Sequence, residues 1–289
     1  MNQPVIGVQQ LAGLMQSARP PVVVDCRFNL MAPEAGQNAY LTDHVPGAFY
    51  AHLDHDLSDK TQTLQGRHPL PSASQFESLM QSWGVDADSL LVAYDEGDLS
   101  FASRLWWLAR YFGHQHVSVL NGGYAAWRAG GNELENGSRP VGAAAGAATA
   151  GGLKPGGFKS TIGSNMKLDY AEVLAIRSKI QLIDSRDAPR YKGEVEPIDP
   201  VAGHIPGAVN APWKDALGPD GLIKSQEELQ ARWAGLMEQG KAPVVYCGSG
   251  VTACVNLLSM EVAGVPNVRL YAGSWSGWLQ NGGDVAVGG

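Results

Sequence analysis

The stretch 243-PVVYCGSGVTACVNLL-258 decides how this chain is read. A short apolar run through Val244 and Val245 stops at Tyr246, a loop with two glycines follows, and an apolar segment of helical character begins near Thr252. That order is strand, tight loop, helix. A short strand buried on both faces and feeding a helix is the unit of a mostly parallel, helix-covered sheet. A matching piece, 91-LVAYDEG-97, lies in the first half of the chain, with Asp95 where the second half has Cys247.

Working outward, the whole chain repeats. The segment 22-VVVDCRF-28 matches 181-QLIDSRD-187, 43-DHVPGAFY-50 matches 203-GHIPGAVN-210, and 120-LNGGYAAW-127 matches 271-YAGSWSGW-278, in the same order in both halves. Short β-branched runs alternate with stretches of helical period such as 100–113 and 226–240. The fold expected is therefore α/β, with two related domains, each a mostly parallel sheet covered by helices. Their boundaries are read as 1–135 and 158–289. The intervening 136–157, rich in Gly and Ala, has too few large apolar residues to build a core and is read as a linker.

Composition narrows the function. With a formal charge of −7 over 289 residues and no Lys/Arg block, neither a nucleic-acid groove nor an anionic membrane surface is expected as partner. No apolar run reaches membrane-spanning length and the first residues lack a secretory pattern, so a cytoplasmic protein is expected. The three cysteines, Cys26, Cys247 and Cys254, are an odd set without a C-x-x-C pair; neither a disulfide framework nor a structural metal site follows from them.

Ligands of parallel sheets bind beyond the carboxyl ends of the strands, which is where Cys247 falls. A loop through Gly248, Ser249, Gly250, Val251 and Thr252 can curl its backbone N–H groups around a bound anion or sulfur, glycine making the curvature cheap. An ordinary thiol titrates near ~8.5, so a thiolate majority at neutral pH needs roughly 2.7 kcal/mol of stabilisation. A helix end alone gives ~0.3–1 kcal/mol, so several donors must converge. Free cysteines more often simply pack, and Cys254, inside an apolar helix stretch, and Cys26, at the position of Ser185 in the repeat, are read that way. A phosphatase would need an arginine six residues after the cysteine, where this chain has Ala253, and no Lys-Ser/Thr follows Gly250 to make a nucleotide-binding loop.

On 247-CGSGVTA-253, the two H-[VI]-P-G-A segments, 184-DSRDAPRY-191, NGGYAAW and AGSWSGW, the chain resembles the tandem-domain rhodanese-type sulfurtransferases over essentially its whole length. The resemblance implies that Cys247 accepts a sulfane sulfur as a persulfide and passes it to a nucleophile, without metal or organic cofactor. It also implies that the first domain, with Asp95, is not catalytic. The neutral Cys-Gly-Ser-Gly loop is similar to that of the 3-mercaptopyruvate enzymes. By position, the resemblance then implies a relay of Ser249, His68 and Asp54, and a substrate-anion role for Arg190. Arg186, which matches Arg27, is read as structural. One departure matters: where such enzymes carry a second arginine after Glu-Pro, this chain has Ile198. Thiosulfate therefore stays open as donor. The acceptor implied is a small thiol or cyanide, with a persulfide carrier serving a thioredoxin-like or other protein as the alternative, and a non-catalytic binding module disfavoured by the retained cysteine.

Overall fold

The computed structural model describes residues 3–137 and 155–289; positions 138–154 of the expected linker lie outside the described residues. The chain forms two compact units. The first takes the described residues up to Asp59 and those within Pro71–Gly163; the second takes Lys60–Leu70 and Ser164–Gly289.

In the first unit the order is β1 (Val5–Ile6), α1 (Val8–Met15), β2 (Val22–Asp25), α2 (Ala35–Thr42), β3 (Phe49–Tyr50), α3 (Ala73–Ser82), β4 (Leu91–Tyr94), α4 (Ala102–Tyr111), β5 (Val117–Leu120) and α5 (Gly123–Ala129). The strands make one parallel sheet in the order β1-β5-β4-β2-β3. The second unit repeats the plan with β6 (Lys167–Leu168), α6 (Tyr170–Ile176), β7 (Ile180–Asp184), α7 (Ala188–Lys192), β8 (Val209–Asn210), α8 (Gln226–Leu236), β9 (Ala242–Tyr246), α9 (Ala253–Ala263), β10 (Arg269–Tyr271) and α10 (Ser274–Gln280). Its sheet, also parallel, runs β6-β10-β9-β7-β8. Strands β4 and β7 are buried along their length, as expected of strands covered on both faces. Helices α3, α6 and α8 start on capping boxes, Ser72 with Gln75, Asp169 with Glu172 and Ser225 with Glu228, which satisfy N–H groups a helix start leaves open.

The repeat seen in the sequence holds atom by atom. Asp25 binds Arg27, and the Tyr94 hydroxyl donates to Asp25 while accepting from Val45 N. Asp184 binds Arg186, and the Tyr246 hydroxyl accepts from Ile205 N. His44 and His204, the histidines of the two H-[VI]-P-G-A segments, each bond through Nδ1 to a backbone carbonyl, of Tyr40 and Tyr191, and stack on that same tyrosine. These histidines fasten a turn to the core. In the second unit Tyr191, Ile205, Val244, Tyr246, Tyr271, Trp275 and Trp278 form that core. The strand order turns back between β7 and β9, so the loops after these two strands flank the crevice where α/β sheets place ligands. Among the described residues no helix is long and apolar enough to cross a membrane.

Candidate active site

Cys247 follows β9, and the loop it opens leads into α9. The loop is held by its backbone. Cys247 N donates to Ser274 Oγ at 3.2 Å, Trp275 N donates to Cys247 O and Ser276 N to Gly248 O, both at 2.9 Å. These hydrogen bonds fix the peptide frame of the loop to the start of α10. Gly250 has φ +77°, a conformation that a side chain would strain, and this lets the chain turn back toward the helix. Val251 O and Thr252 O accept from Cys254 N and Val255 N, closing the first turn. The Cys254 thiol reaches Gly250 O at 3.4 Å from inside α9, so this cysteine packs beneath the loop. Cys26 sits in the first unit; burial, then the negative charges of Asp25, Asp95 and Asp56, push its thiol well up from its ordinary range.

The equivalent loop of the first unit is filled differently. Asp95 Oδ1 accepts from Gly97 N and Leu99 N, and Oδ2 from Phe101 N and Ala102 N, at 2.9–3.0 Å. Four backbone amides thus converge on a carboxyl group at the position that corresponds to Cys247. Burial, with the nearby Asp98 carboxylate, pushes Asp95 up to about 7, against the pull of those N–H donors.

Ser249 and His68 meet. His68 Nδ1 lies 2.8 Å from Ser249 Oγ, and both side chains are buried. His68 reaches the loop from the Lys60–Leu70 segment, which belongs to the second unit although the domain boundaries read from the sequence put it in the first half. Asp54 belongs to the first unit, where its N–H donates to His52 Nδ1 at 3.1 Å.

Arg190 leaves α7 and donates through Nε and Nη2 to Glu196, at 3.1 and 2.7 Å, and through Nη2 to Asp199 at 3.4 Å. Arg186 is spent on structure: its guanidinium holds Asp184, Glu196 and Gly203 O and packs 4.8 Å from the Trp275 ring, as Arg27 holds Asp25 beneath Tyr124. Burial raises Glu196, but hydrogen bonds from Arg190 and from the Asp199 and Ile198 amides outweigh it, holding the carboxyl below its usual range. Ile198 is 42% exposed on this same turn.

Two residues that the sequence reading passed over also stand at the loop. Arg67 ion-pairs with Asp199 and aims Nη2 at Gly248: a Cβ on that glycine would lie 2.8 Å from it. Ser274 is held at φ +54°, and its hydroxyl both accepts from Cys247 N and donates to Tyr271 O. Both signals were present in the sequence. Arg67 adjoins His68, and Ser274 takes the place of Gly123 in the repeat. Among the described residues, the side chains that could meet a cation, Glu34, His52 and His55, with one ligand atom each within 4.8 Å of the others, belong to the first unit and not to the Cys247 loop.

Two parallel sheets of one plan, a cysteine loop at the switch point of the second and an acidic replica in the first define a duplicated rhodanese fold. The rhodanese-like domain model matches residues 8–130 and 168–281, and the chain belongs to this family. It is 42% identical over 281 residues to a probable 3-mercaptopyruvate sulfurtransferase of Pseudomonas aeruginosa, covering 95% of this chain and 94% of that one. Bovine thiosulfate sulfurtransferase is 36% identical over 89% of this chain and 84% of its own length. The crystal structure of SseA from Escherichia coli, presented as a 3-mercaptopyruvate sulfotransferase with the rhodanese fold, superposes with a TM-score of 0.80 at 35% identity, covering 95% of this chain and 100% of that one.

Proposed function

We propose that this sulfurtransferase moves a sulfane sulfur from 3-mercaptopyruvate to a thiol or cyanide through a persulfide on Cys247. The observation that carries the reading is the unequal filling of one loop: a carboxyl group capped by four amides in the first unit, and in the second a buried cysteine whose backbone is anchored to the start of α10.

The Cys247 thiolate attacks the donor sulfur, an S–S bond forms, and the donor's C–S bond breaks with its electron pair leaving on carbon as the enolate of pyruvate. That carbon needs a proton. In this reading Ser249, in hydrogen-bond contact with His68, supplies it, and Asp54 is the acidic member of the relay. Arg190 holds the donor's carboxylate, and the amides of Gly248, Ser249, Gly250, Val251 and Thr252 surround the transferred sulfur. The acceptor then attacks the outer sulfur and the Cys247 thiolate leaves.

In this reading 158–289 is the catalytic domain and 1–135, joined through 136–157, is non-catalytic. The relatives named for thiosulfate support a second donor, whose transfer would release sulfite and need no carbon protonation. A protein acceptor of thioredoxin type and a cytoplasmic location, in keeping with three free cysteines, complete the proposal. The test is sulfur transfer from each donor to cyanide and to a small thiol, with mass analysis of the protein after donor alone. Transfer with mercaptopyruvate favoured, and one added sulfur on Cys247, are expected. No transfer from either donor, or sulfur found on another residue, overturns the reading.

A further inference from the structure

We propose that Arg67 is the second anion-binding residue of the donor site, acting with Arg190 over Gly248 in place of an arginine at position 198; the inference rests on the sulfurtransferase reading above. Three observations meet at this place. The first is geometric. A Cβ at Gly248 would lie 2.8 Å from Arg67 Nη2, 3.5 Å from Arg190 Nη2 and 3.7 Å from Arg190 Nη1, so two guanidinium groups converge on one residue next to Cys247. Like charges gather there because Asp199 lies between them, one carboxylate oxygen taking Arg67 and the other Arg190.

The second concerns which nitrogens are engaged. Arg67 uses Nη1 on Asp199, and Arg190 uses Nε and Nη2 on Glu196 and Asp199. The ends outside these ion pairs, Arg67 Nη2 and Arg190 Nη1, both face Gly248. Two planar forks with donors to spare can grip the two oxygens of a carboxylate, or those of a thiosulfonate, from two directions. Both residues also keep an opening: their side chains are 26% and 17% exposed, while the Asp199 and Glu196 side chains that hold them are 3% exposed.

The third is how Arg67 is set in register with the loop. Arg67 N donates to Ser276 Oγ at 3.1 Å, while Ser276 N donates to Gly248 O. Arg67 and Gly248 thus hang from the same residue of α10. On either side, Gly66 N donates to Gln280 Oε1 and Asn281 Nδ2 to Leu64 O. A Cβ on Gly66, at φ +87°, would lie 2.5 Å from Gly273 O, so only glycine allows this approach. An arginine needed only to pair with Asp199 would not require its free end to face the loop. The absence of a basic side chain at 198 is thereby made good from a segment distant in sequence.

The test is steady-state kinetics of Arg67→Ala and Arg67→Lys with mercaptopyruvate as varied donor and cyanide as acceptor. Losing a hydrogen-bonded charge on the donor should raise the donor KM about 10- to 100-fold in Arg67→Ala, with kcat and the acceptor KM changed far less; the lysine variant, charged but without the fork, should fall between. As a measurement independent of turnover, pyruvate binding to Cys247→Ser is followed by calorimetry with and without Arg67→Gln, and should weaken in parallel. A donor KM within about two-fold of wild type, or a fall in kcat and melting temperature at unchanged KM and unchanged pyruvate affinity, assigns Arg67 to structure and overturns the proposal. Wild-type protein that transfers no sulfur would instead sink the sulfurtransferase reading, a result visible before any variant is made.

Discussion

Ser274 opposes two effects that substitution can separate. Its φ of +54° places a side chain in the left-handed region, where the repeat partner Gly123 stands at +55° without penalty. That conformation costs a non-glycine residue roughly 1–2 kcal/mol. Against this, the hydroxyl accepts from the buried Cys247 N–H and donates to Tyr271 O. Replacement by alanine keeps the strain and loses both bonds. An N–H left buried without an acceptor costs ~1–3 kcal/mol and the lost bond to Tyr271 O about 1 kcal/mol, so Ser274→Ala should destabilise the second unit by about 2–4 kcal/mol. Ser274→Gly loses the same bonds but relieves the strain; after the added freedom of glycine in the unfolded chain, roughly 0.5–1 kcal/mol, it should recover about 1 kcal/mol of that loss. The assay is equilibrium urea unfolding at neutral pH, followed by tryptophan fluorescence, with sulfur transfer measured beside it. Stability and transfer should both fall in the order wild type, glycine, alanine. A glycine variant as stable as wild type would show that the hydroxyl does not hold the Cys247 amide. Equal stabilities for the two variants would show that the backbone at 274 stores no strain.

Other outcomes follow from the same geometry. Cys247→Ser should abolish transfer while Cys26→Ser and Cys254→Ser retain it, read from thiocyanate production; loss of activity in a folded Cys254→Ser would move the reaction to the wrong thiol. Ser249→Ala and His68→Gln, each cutting the 2.8 Å contact, should lower kcat with mercaptopyruvate by about 10²-fold or more but leave thiosulfate turnover far less affected, since only the former donor needs a carbon protonated. Equal losses with both donors would refute a proton-relay role. Glu196 has a folded-state pKa below its unfolded value of 4.5, so its contribution to stability is present above about pH 4.5 and is lost as pH falls through the lower folded value. Thermal melts of Glu196→Gln should accordingly show a shallower decline on acidification than wild type, and parallel declines would refute that contribution.

Much of this architecture is legible in the sequence because its signals are local. The runs Val22 to Val24, Leu91 to Tyr94 and Val244 to Tyr246 are strands, and the stretch entering at Thr252 becomes α9. Other parts leave no such trace. Strands β1, β3, β6 and β8 hold two residues each, too few for any periodicity to register, and they exist through pairing with longer neighbours. The contact of His68 with Ser249 spans 181 positions, and only the resemblance, not the spacing, pointed to it. Adjacency to His68 marks Arg67 as a candidate, but its arrival at the loop goes unread because nothing local says that Lys60–Leu70 joins the second unit. Local pattern records the fate of a segment's own backbone; it does not record where a side chain from elsewhere will arrive.

The carboxyl group of Asp95 is, in effect, a ligand supplied by the chain itself. Being covalently attached, it confronts its four N–H groups at an effective concentration that dissolved anions at millimolar levels do not approach. The first unit is therefore saturated from the moment it folds, whatever donor surrounds it. A fully loaded chain should carry one transferable sulfur rather than two, and raising the donor concentration should not change that stoichiometry.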